Sequence, residues 1–250
     1  MEAEFDKLAN NYEEWHQESI NASGLSINYF YEYKIKEIHR ILSKRKIKLP
    51  SSILDFGCGI GNVDPYIRKY FPESQIYGVD ISKESIEIAK EKQKALNIHY
   101  EPLDENWKAF DANEESLLKK TFDLVFAANV FHHVPREEHK AVLAYIGAHM
   151  DYNSLLFIFD FNPFNPASRA VFNKFDRAVD RNANLIYPHY LKKQMKECHF
   201  QILLRSFTVF FPKPMEVLIP LEKYMTWIPM GAHYYLMASL ATEDEKSSSR

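Results

Sequence analysis

Ile53-Leu54-Asp55-Phe56-Gly57-Cys58-Gly59-Ile60-Gly61-Asn62 is the stretch of sequence that decides the fold of this chain. An apolar run ends near a carboxylate, and three glycines follow at alternate positions, although the whole chain holds only seven. Glycine adopts positive φ angles without strain and lets a ligand approach the main chain closely. A helical pattern follows at once, at Val63, Tyr66, Ile67 and Tyr70. The stretch therefore predicts a strand, a glycine-rich turn and a helix N-terminus, the layout of a nucleotide-type binding turn.

The spacing of this turn narrows the class of ligand. A dinucleotide fingerprint reads G-x-G-x-x-G, whereas here the third glycine, Gly61, arrives one residue early. The Gly-Lys-Ser/Thr of a phosphate-cradling loop is absent. A second strand, Gln75-Ile76-Tyr77-Gly78-Val79-Asp80, ends in a carboxylate roughly 20 residues further on, where an acid accepts hydrogen bonds from ribose hydroxyls. We therefore expect a ligand that carries a ribose, with no strong demand for a pyrophosphate site.

The alternation of apolar runs and helical patterns predicts the architecture. Five apolar runs indicate a parallel sheet with helices on both faces: 53–56, 76–79, 98–101, 123–128 and 154–160. Helices are predicted at 27–46 and 188–198, and further strands at 200–211 and 233–241. We expect a single domain over 1–242, with an N-terminal helical cap (1–50), substrate-side insertion and lid elements (162–232) and a flexible tail (243–250).

Bulk properties exclude several classes of protein. The 250 residues are 46% hydrophobic and 26% charged, which is typical of a soluble globular protein. A net charge of −3 gives no basic field for nucleic acid, and two cysteines make neither a disulfide framework nor a zinc site. His132, His133 and His139 form no recognised metal set. No signal peptide and no apolar run of ~18 residues is evident, so we expect a cytoplasmic protein, with peripheral contact to a membrane left open.

Three ordered motifs resemble those of class I S-adenosylmethionine (SAM)-dependent methyltransferases. The glycine turn resembles their first motif, and Val79-Asp80-Ile81-Ser82 resembles their second. Residues 121–135 resemble their fourth strand and the turn after it. The resemblance implies a Rossmann-like, seven-stranded mixed α/β sheet, mostly parallel with the last strand antiparallel. It also implies SAM as cofactor and S-adenosylhomocysteine as product.

A narrower resemblance covers nearly the whole chain except its last ten residues. Residues 160–166 and the segments 221–223 and 228–234 are similar to two signatures of a bacterial methyltransferase subgroup. That subgroup is often associated with cell-envelope glycan or glycolipid assembly, which implies a small-molecule or lipid-linked acceptor, methylated at oxygen. Asp160-Phe161 replaces the Glu-His of the signature, so any proton chemistry of that histidine is missing here. The sequence gives neither the acceptor nor the oligomeric state.

The resemblance assigns roles in cofactor binding by matched position. Gly57, Gly59 and Gly61 would let the turn pass close to the amino-acid and ribose portions, with Cys58 between them shielded by the cofactor. Asp55 would orient the turn and the bound ammonium, and Asp80 would hold the ribose diol.

Four further residues are cofactor candidates, and for three of them an alternative role stays open. Ile81 covers one face of the adenine or is a plain core aliphatic. Asp104 meets the adenine amino group or is a solvated loop carboxylate. Asn129 offers its backbone carbonyl to the ammonium. Lys34 meets the methionine carboxylate, or its side chain extends to solvent as inward-facing lysines usually do.

The catalytic candidates lie after the fourth and fifth strands and near the N-terminus. Alignment of nucleophile, methyl and sulfur can supply most of the acceleration, and a base is needed only when the acceptor must lose a proton. His132 or His133 could accept that proton, or the two could be a supporting or helix-capping pair. Asp160 could act as a base or as a hydrogen-bond acceptor for substrate, and Tyr12 could close over the methyl group.

The apolar residues between 207 and 230 permit two interpretations. They could form an apolar lid or membrane-facing patch for a lipid-linked substrate. Packing on the edge of the sheet is the expectation that their density favours. Two alternatives to a methyltransferase also remain: a catalytically silent SAM-binding scaffold on the same fold, suggested by Asp160-Phe161, and a related aminopropyl transferase.

Overall fold

The computed structural model describes residues 24–104, 120–174 and 183–242. Its centre is one seven-stranded sheet with the order β3-β2-β1-β4-β5-β7-β6. The strands are β1 (Ser52–Phe56), β2 (Gln75–Asp80), β3 (Ile98–Pro102), β4 (Leu124–Ala128), β5 (Leu155–Phe161), β6 (Phe200–Thr208) and β7 (His233–Leu240). All seven strands correspond to runs predicted from the sequence.

Strand direction confirms the predicted mixed sheet. β1 pairs in parallel with β2 and β4, β2 with β3, and β4 with β5. β7 is antiparallel to both of its neighbours, β5 and β6. The carboxyl ends of β1, β2, β4 and β5 therefore meet at one edge, where ligands bind in open α/β sheets.

Helices cover both faces of this sheet. They are α1 (Ile27–Arg45), α2 (Asp64–Tyr70), α3 (Lys83–Lys92), α4 (His139–Ala148), α5 (Pro166–Lys174), α6 (Pro188–Glu197) and α7 (Glu222–Met225), with 3₁₀ segments at Lys94–Leu96 and Lys213–Leu221. α1 and α2 contribute to the apolar cluster on one face of the sheet, and α4 and α6 to the cluster on the other. This arrangement confirms the predicted fold class.

Helix α1 packs on the core with its later turns, and its first turns lie near the start of β7 at the carboxyl edge of the sheet. The Ser26 side chain caps it by accepting a hydrogen bond from the backbone N–H of Tyr29, and Lys46 ends it in the left-handed conformation. Its later turns bury Ile38 and Ile41 against the sheet, so this part of the predicted cap is a core helix. In its first turns the Tyr33 hydroxyl lies 2.9 Å from Nδ1 of His233, the first residue of β7.

The expectation of a helix packed on the edge of the sheet at 207–230 is wrong: Phe207 is buried, but as part of strand β6, and the residues from 213 onward form no such helix. In the stretch 213–225 no residue is buried, and Val217, Tyr224 and Trp227 are 80%, 68% and 74% exposed. Pro212, Pro214 and Pro220 interrupt the backbone, so the segment forms short 3₁₀ and α turns with no continuous face to lay on the sheet. The apolar density of this segment therefore does not serve the core.

The predicted division into cap, insertion and tail stays a prediction. The 162–232 segment contains α6 and β6, which belong to the central layers of the fold, beside the exposed elements at the ligand edge. Residues 243–250 lie outside the described residues. Within the described ranges, none of the helices combines the length and apolar character needed to span a bilayer.

Candidate active site at the carboxyl edge of the sheet

The glycine turn after β1 is held open by its backbone conformation. Gly57, Gly59 and Gly61 have φ angles of 76°, 54° and 74°, in the region that glycine adopts without strain. The backbone N–H groups of Gly57 and Cys58 both donate to the carbonyl of Val79, at 2.8 and 3.0 Å. The Gln93 side chain donates to the carbonyl of Gly61 at 2.9 Å. The turn is thus fixed to β2 and to the end of α3.

Asp80 joins the glycine turn to the start of α3. One carboxylate oxygen accepts from the backbone N–H of Gly59 at 2.8 Å, and the other accepts from that of Ser82 at 2.9 Å. Ser82 in turn caps α3 by accepting from the N–H of Ser85. Asp80 is only half-buried, and each carboxylate oxygen can accept more than one hydrogen bond. It can therefore serve both the backbone and a ligand hydroxyl.

The glycines differ in what surrounds them. A Cβ placed on Gly57 would lie 2.4 Å from a methyl carbon of Val130, so this glycine is required by packing. A Cβ on Gly59 would meet nothing within 4 Å. The turn therefore presents open space at Gly59, beside the carboxylate of Asp80. This is the cradle that a ribose-bearing ligand needs.

A buried acid pair lies beneath the turn. Burial, and then the adjacent Asp64, raise the pKa of Asp55 well above its usual range. Burial raises the pKa of Asp64 to about 6, opposed by the hydrogen bonds from Tyr100 and Asp55. The Tyr100 hydroxyl donates to Asp64 at 2.5 Å. Asp55 is thus buried beside Asp64 at the end of β1, and its predicted roles in orienting the turn and a bound ammonium stay predictions.

Sequence reasoning missed Asp64 and Tyr100. Asp64 is the first residue of α2, where an acid is ordinarily explained by the helix dipole. Its full burial is not visible in the sequence. A Cβ on Gly61 would lie 3.0 Å from both Asp64 Oδ2 and the Tyr100 hydroxyl, so the pair packs directly against the third glycine.

Lys34 is buried on the same edge. Its side chain is almost fully buried, which decides against the alternative of a solvent-extended lysine. Burial lowers its pKa to about 8, opposed by the charges of Asp55 and Asp160. The ammonium lies 5.8 Å from the centre of the Tyr33 ring. Lys34 therefore lies within electrostatic reach of Asp55 on β1 and Asp160 on β5; its contact with a cofactor carboxylate stays a prediction.

The Cys58 side chain is covered by protein. It packs with Ile86, Ala89 and Tyr100, and its Sγ lies 3.0 Å from the position of a Cβ on Gly78. Burial raises the pKa of the thiol well above its usual range. Only the backbone of this residue can face a ligand, so the sulfur is shielded by α3 and β3 in this structure.

Histidine and carboxylate candidates meet across β4 and β5. His132 Nδ1 lies 2.7 Å from Asp160 Oδ1, and both side chains are fully buried. The backbone N–H of Phe161 also donates to Asp160 Oδ1. The His133 ring, which is half-buried, lies with its centre 4.0 Å from that of His132. The exposed end of this arrangement is His133, and the buried end is the carboxylate.

The remaining candidates lie around the same edge. Asn129 follows β4 with a φ of 60°, and its N–H donates to the carbonyl of Phe159 at 2.9 Å. Among the described residues, its buried side-chain oxygen has no hydrogen-bond partner. Ile81 is exposed, which decides against a core aliphatic, and Asp104 is half-buried after β3. Tyr12 lies outside the described residues.

Comparison with known proteins agrees with this geometry. Residues 54–156 match the family model described as a methyltransferase domain, which confirms the prediction of such a domain for that part of the chain. The chain is 31% identical over 88 residues to the malonyl-[acyl-carrier protein] O-methyltransferase of Bacillus cereus, covering 34% of this chain and 33% of that protein. It is 34% identical over 85 residues to the Legionella pneumophila protein of the same name, covering 33% and 27%. The chain therefore spans about a third of the length of these curated relatives.

Solved structures share the fold over nearly the whole chain. A SAM-dependent methyltransferase from Thermotoga maritima aligns with a TM-score of 0.61 at 14% identity, covering 95% of this chain and 98% of that one. Magnesium protoporphyrin IX methyltransferase from Synechocystis with bound SAH aligns with a TM-score of 0.55 at 18% identity, covering 90% and 86%. At these identities the likeness shows the Rossmann-like methyltransferase fold alone.

Proposed function

We propose that this protein is a SAM-dependent methyltransferase that transfers a methyl group to a hydroxyl or carboxyl oxygen of a small or lipid-linked acceptor. The observation that carries the proposal is the junction at Asp80. A carboxylate at the end of β2 is fixed by the glycine turn and by α3, and open space lies beside it at Gly59. The match of residues 54–156 to a methyltransferase domain supports the same reading.

The residues around this junction fit SAM. Asp80 would accept hydrogen bonds from the ribose hydroxyls, and exposed Ile81 would cover the adenine. Asp104, half-buried after β3, would receive the adenine amino group. Asn129 and Lys34 would hold the amino-acid end, the first by its carbonyl and the second by its buried charge. Bound SAM supplies an activated methyl group on a sulfonium whose departure leaves a neutral thioether.

His133 would take the proton from the acceptor. Its half-buried ring can meet a substrate, whereas His132 behind it is fully buried. If His132 donates its Nδ1 proton to Asp160, the carboxylate fixes the orientation of the His132 ring and stabilises positive charge nearby. The group that replaces the missing histidine of the Glu-His signature would thus come from the turn after β4, and Asp160 would position it through His132.

Transfer to oxygen is supported by the curated relatives. Both are named as O-methyltransferases acting on an acyl-carrier-bound malonyl group. The present chain aligns with only part of each, so the acceptor itself belongs to the proposal. The silent-scaffold alternative rests on the Asp160-Phe161 departure and on the lack of an evident base; the His132–Asp160 contact beside His133 supports the enzyme over that alternative.

The test is transfer of labelled methyl from SAM into aqueous and organic-solvent fractions of a cell extract. We expect label in a product whose mass spectrum places the added methyl on oxygen. His133→Ala should lower turnover by about 10²–10⁴, the contribution of a positioned base. Asp160→Asn should lower it with little change in SAM affinity, because Asp160 acts through the histidines.

His99→Ala provides the matched control, because His99 lies on the outer strand β3, away from this edge, and is exposed. Its turnover should equal that of the native protein. Label on nitrogen would contradict the oxygen assignment. Full activity of His133→Ala would show that another group takes the proton, and absence of transfer with intact SAM binding would restore the scaffold alternative.

A further inference from the structure

An apolar surface is exposed at the edge of the sheet that carries the site. It consists of Phe164, Tyr187, Val217, Tyr224, Trp227 and Met230. We call this set the apolar mouth surface. Large exposed apolar patches on soluble domains mark protein, membrane or ligand contacts.

Part of this surface is connected: one ring contact and two hydrogen bonds join the segments that carry Phe164, Tyr187 and Met230. The Phe164 and Tyr187 rings lie 5.4 Å apart. The Asn165 side chain donates to the carbonyl of Met230 at 2.5 Å, and the Asn162 side chain donates to that of Gly231 at 2.7 Å. These two hydrogen bonds join the loop after β5 to the loop before β7, so Phe164 and Met230 lie on connected loops.

The apolar mouth surface adjoins the site. β6 is parallel to β5, so the segment 209–232 leaves β6 at the carboxyl edge and returns into β7 there. His233, at the start of β7, pairs with Phe161, the residue after Asp160. A molecule held on the surface therefore lies next to the groups proposed to act on the acceptor.

The side chains of this surface are suited to an interface between water and lipid. The Trp227 indole N–H donates to the carbonyl of Tyr224 at 3.1 Å, so the ring can leave water without losing a hydrogen bond. The Lys223 ammonium lies 5.0 Å from the centre of the exposed Tyr224 ring. An aromatic ring beside a long basic side chain is the pairing that membrane interfaces favour.

Charge around the surface favours an anionic partner. The segments 163–174, 183–190 and 211–232 hold four basic residues (Arg169, Lys174, Lys213 and Lys223) against two acids, in a chain whose net charge is −3. One of the acids, Glu222, accepts from the backbone N–H groups of Phe210 and Phe211 and is half-buried. Glu216 is then the only fully exposed acid of these described segments.

We infer that the apolar mouth surface docks this protein onto the surface of an anionic lipid bilayer. Docking there would present the site to an acceptor held in the lipid phase. For that acceptor the inference rests on the proposed function, but the docking itself is measured without any methyl transfer.

The test is co-sedimentation of the protein with vesicles. One set contains phosphatidylcholine with phosphatidylglycerol, and the other contains phosphatidylcholine alone. We expect binding to the mixed vesicles, weakened by salt and about tenfold weaker without phosphatidylglycerol, since each basic residue near an anionic surface adds to the attraction. The double variant Val217→Asp/Trp227→Ala should lose at least about tenfold in vesicle binding.

Leu49→Asp is the matched control, because Leu49 is an exposed apolar residue that lies just before β1, at the opposite end of the sheet. It should bind vesicles like the native protein, and all variants should keep the native affinity for S-adenosylhomocysteine. That affinity reports the proposed function separately, so a failure of docking and a failure of cofactor binding are distinguishable.

Three results would overturn the inference. No binding of the native protein to either type of vesicle would show that the apolar mouth surface does not dock onto lipid. Equal binding by the double variant would place the membrane contact elsewhere. A dimer in light scattering that Val217→Asp abolishes, or binding to an acyl carrier protein without binding to vesicles, would show that a protein covers the apolar mouth surface.

Discussion

Among the residues at this edge, Asp64 gives the clearest prediction of how stability depends on pH. Its pKa is about 6 in the folded protein against a usual value of 3.8. Between these values the unfolded chain has lost the proton that the folded protein still holds. The contribution of Asp64 to stability is therefore fully present below pH 3.8, and it is lost as the pH rises to about 6.

Asp64→Asn should remove that part of the pH dependence. The amide keeps an oxygen to accept from Tyr100 and carries no charge at any pH. Between pH 3.8 and 6 we expect the native protein to lose at most about 3 kcal/mol relative to the variant. Urea unfolding of both proteins at the two ends of this window measures the difference. Equal pH slopes in the two proteins would contradict the buried acid pair.

The glycine turn is the element on which cofactor binding depends, and two of its glycines make a matched pair. Gly57→Ala places a methyl group 2.4 Å from Val130 at a φ of 76°, so we expect a loss of about 2–4 kcal/mol in unfolding free energy. Gly59→Ala meets nothing within 4 Å, so its cost is the backbone strain of about 1–2 kcal/mol.

The two variants should separate folding from binding. Gly59→Ala places its methyl in the open space of the turn, and its affinity for S-adenosylhomocysteine should fall by at least about tenfold although the protein stays folded. Thermal unfolding and calorimetry of both variants test this. Native affinity in Gly59→Ala would mean that the space beside Gly59 is not part of the cofactor site.

Strands that are buried on both faces could be predicted from the sequence. The exposure of apolar segments on the surface could not. β4 and β5 are continuous apolar runs because parallel strands are covered on both sides, so their existence and order could be predicted. The 3₁₀ segment Lys213–Leu221 is also rich in apolar residues, yet none of its residues is buried. Composition reports that a segment is apolar; only its place beside other elements decides whether it is buried.

The features of the site that could not be predicted are contacts between side chains on different elements. His132 and Asp160 were separate candidates, and their contact depends on β4 lying beside β5. Asp64 was missed because its burial comes from Asp55 on β1 and Tyr100 on β3, which lie nine and thirty-six positions away in the chain. Such buried polar contacts have no local sequence pattern.

On the scale of the whole molecule, one edge of the sheet gathers the groups of interest. The glycine turn follows β1, Asp80 ends β2, Asn129 follows β4 and Asp160 lies at the end of β5. The apolar mouth surface lies at the same edge. The fold thus brings the proposed cofactor site, the candidate base and the proposed lipid-docking surface together, while the opposite edge carries the short connections between helices and strands.

The most direct test of the account is calorimetric titration of the native protein, Asp80→Ala and Asp123→Ala with SAM and S-adenosylhomocysteine. Asp123 is the matched control, because its carboxylate also accepts from two backbone N–H groups, those of Ser51 and Ser52, but at the opposite edge. We predict micromolar binding by the native protein and by Asp123→Ala, and a loss of at least about a hundredfold in Asp80→Ala. Native affinity in a folded Asp80→Ala, or no binding by the native protein, would contradict the cofactor site.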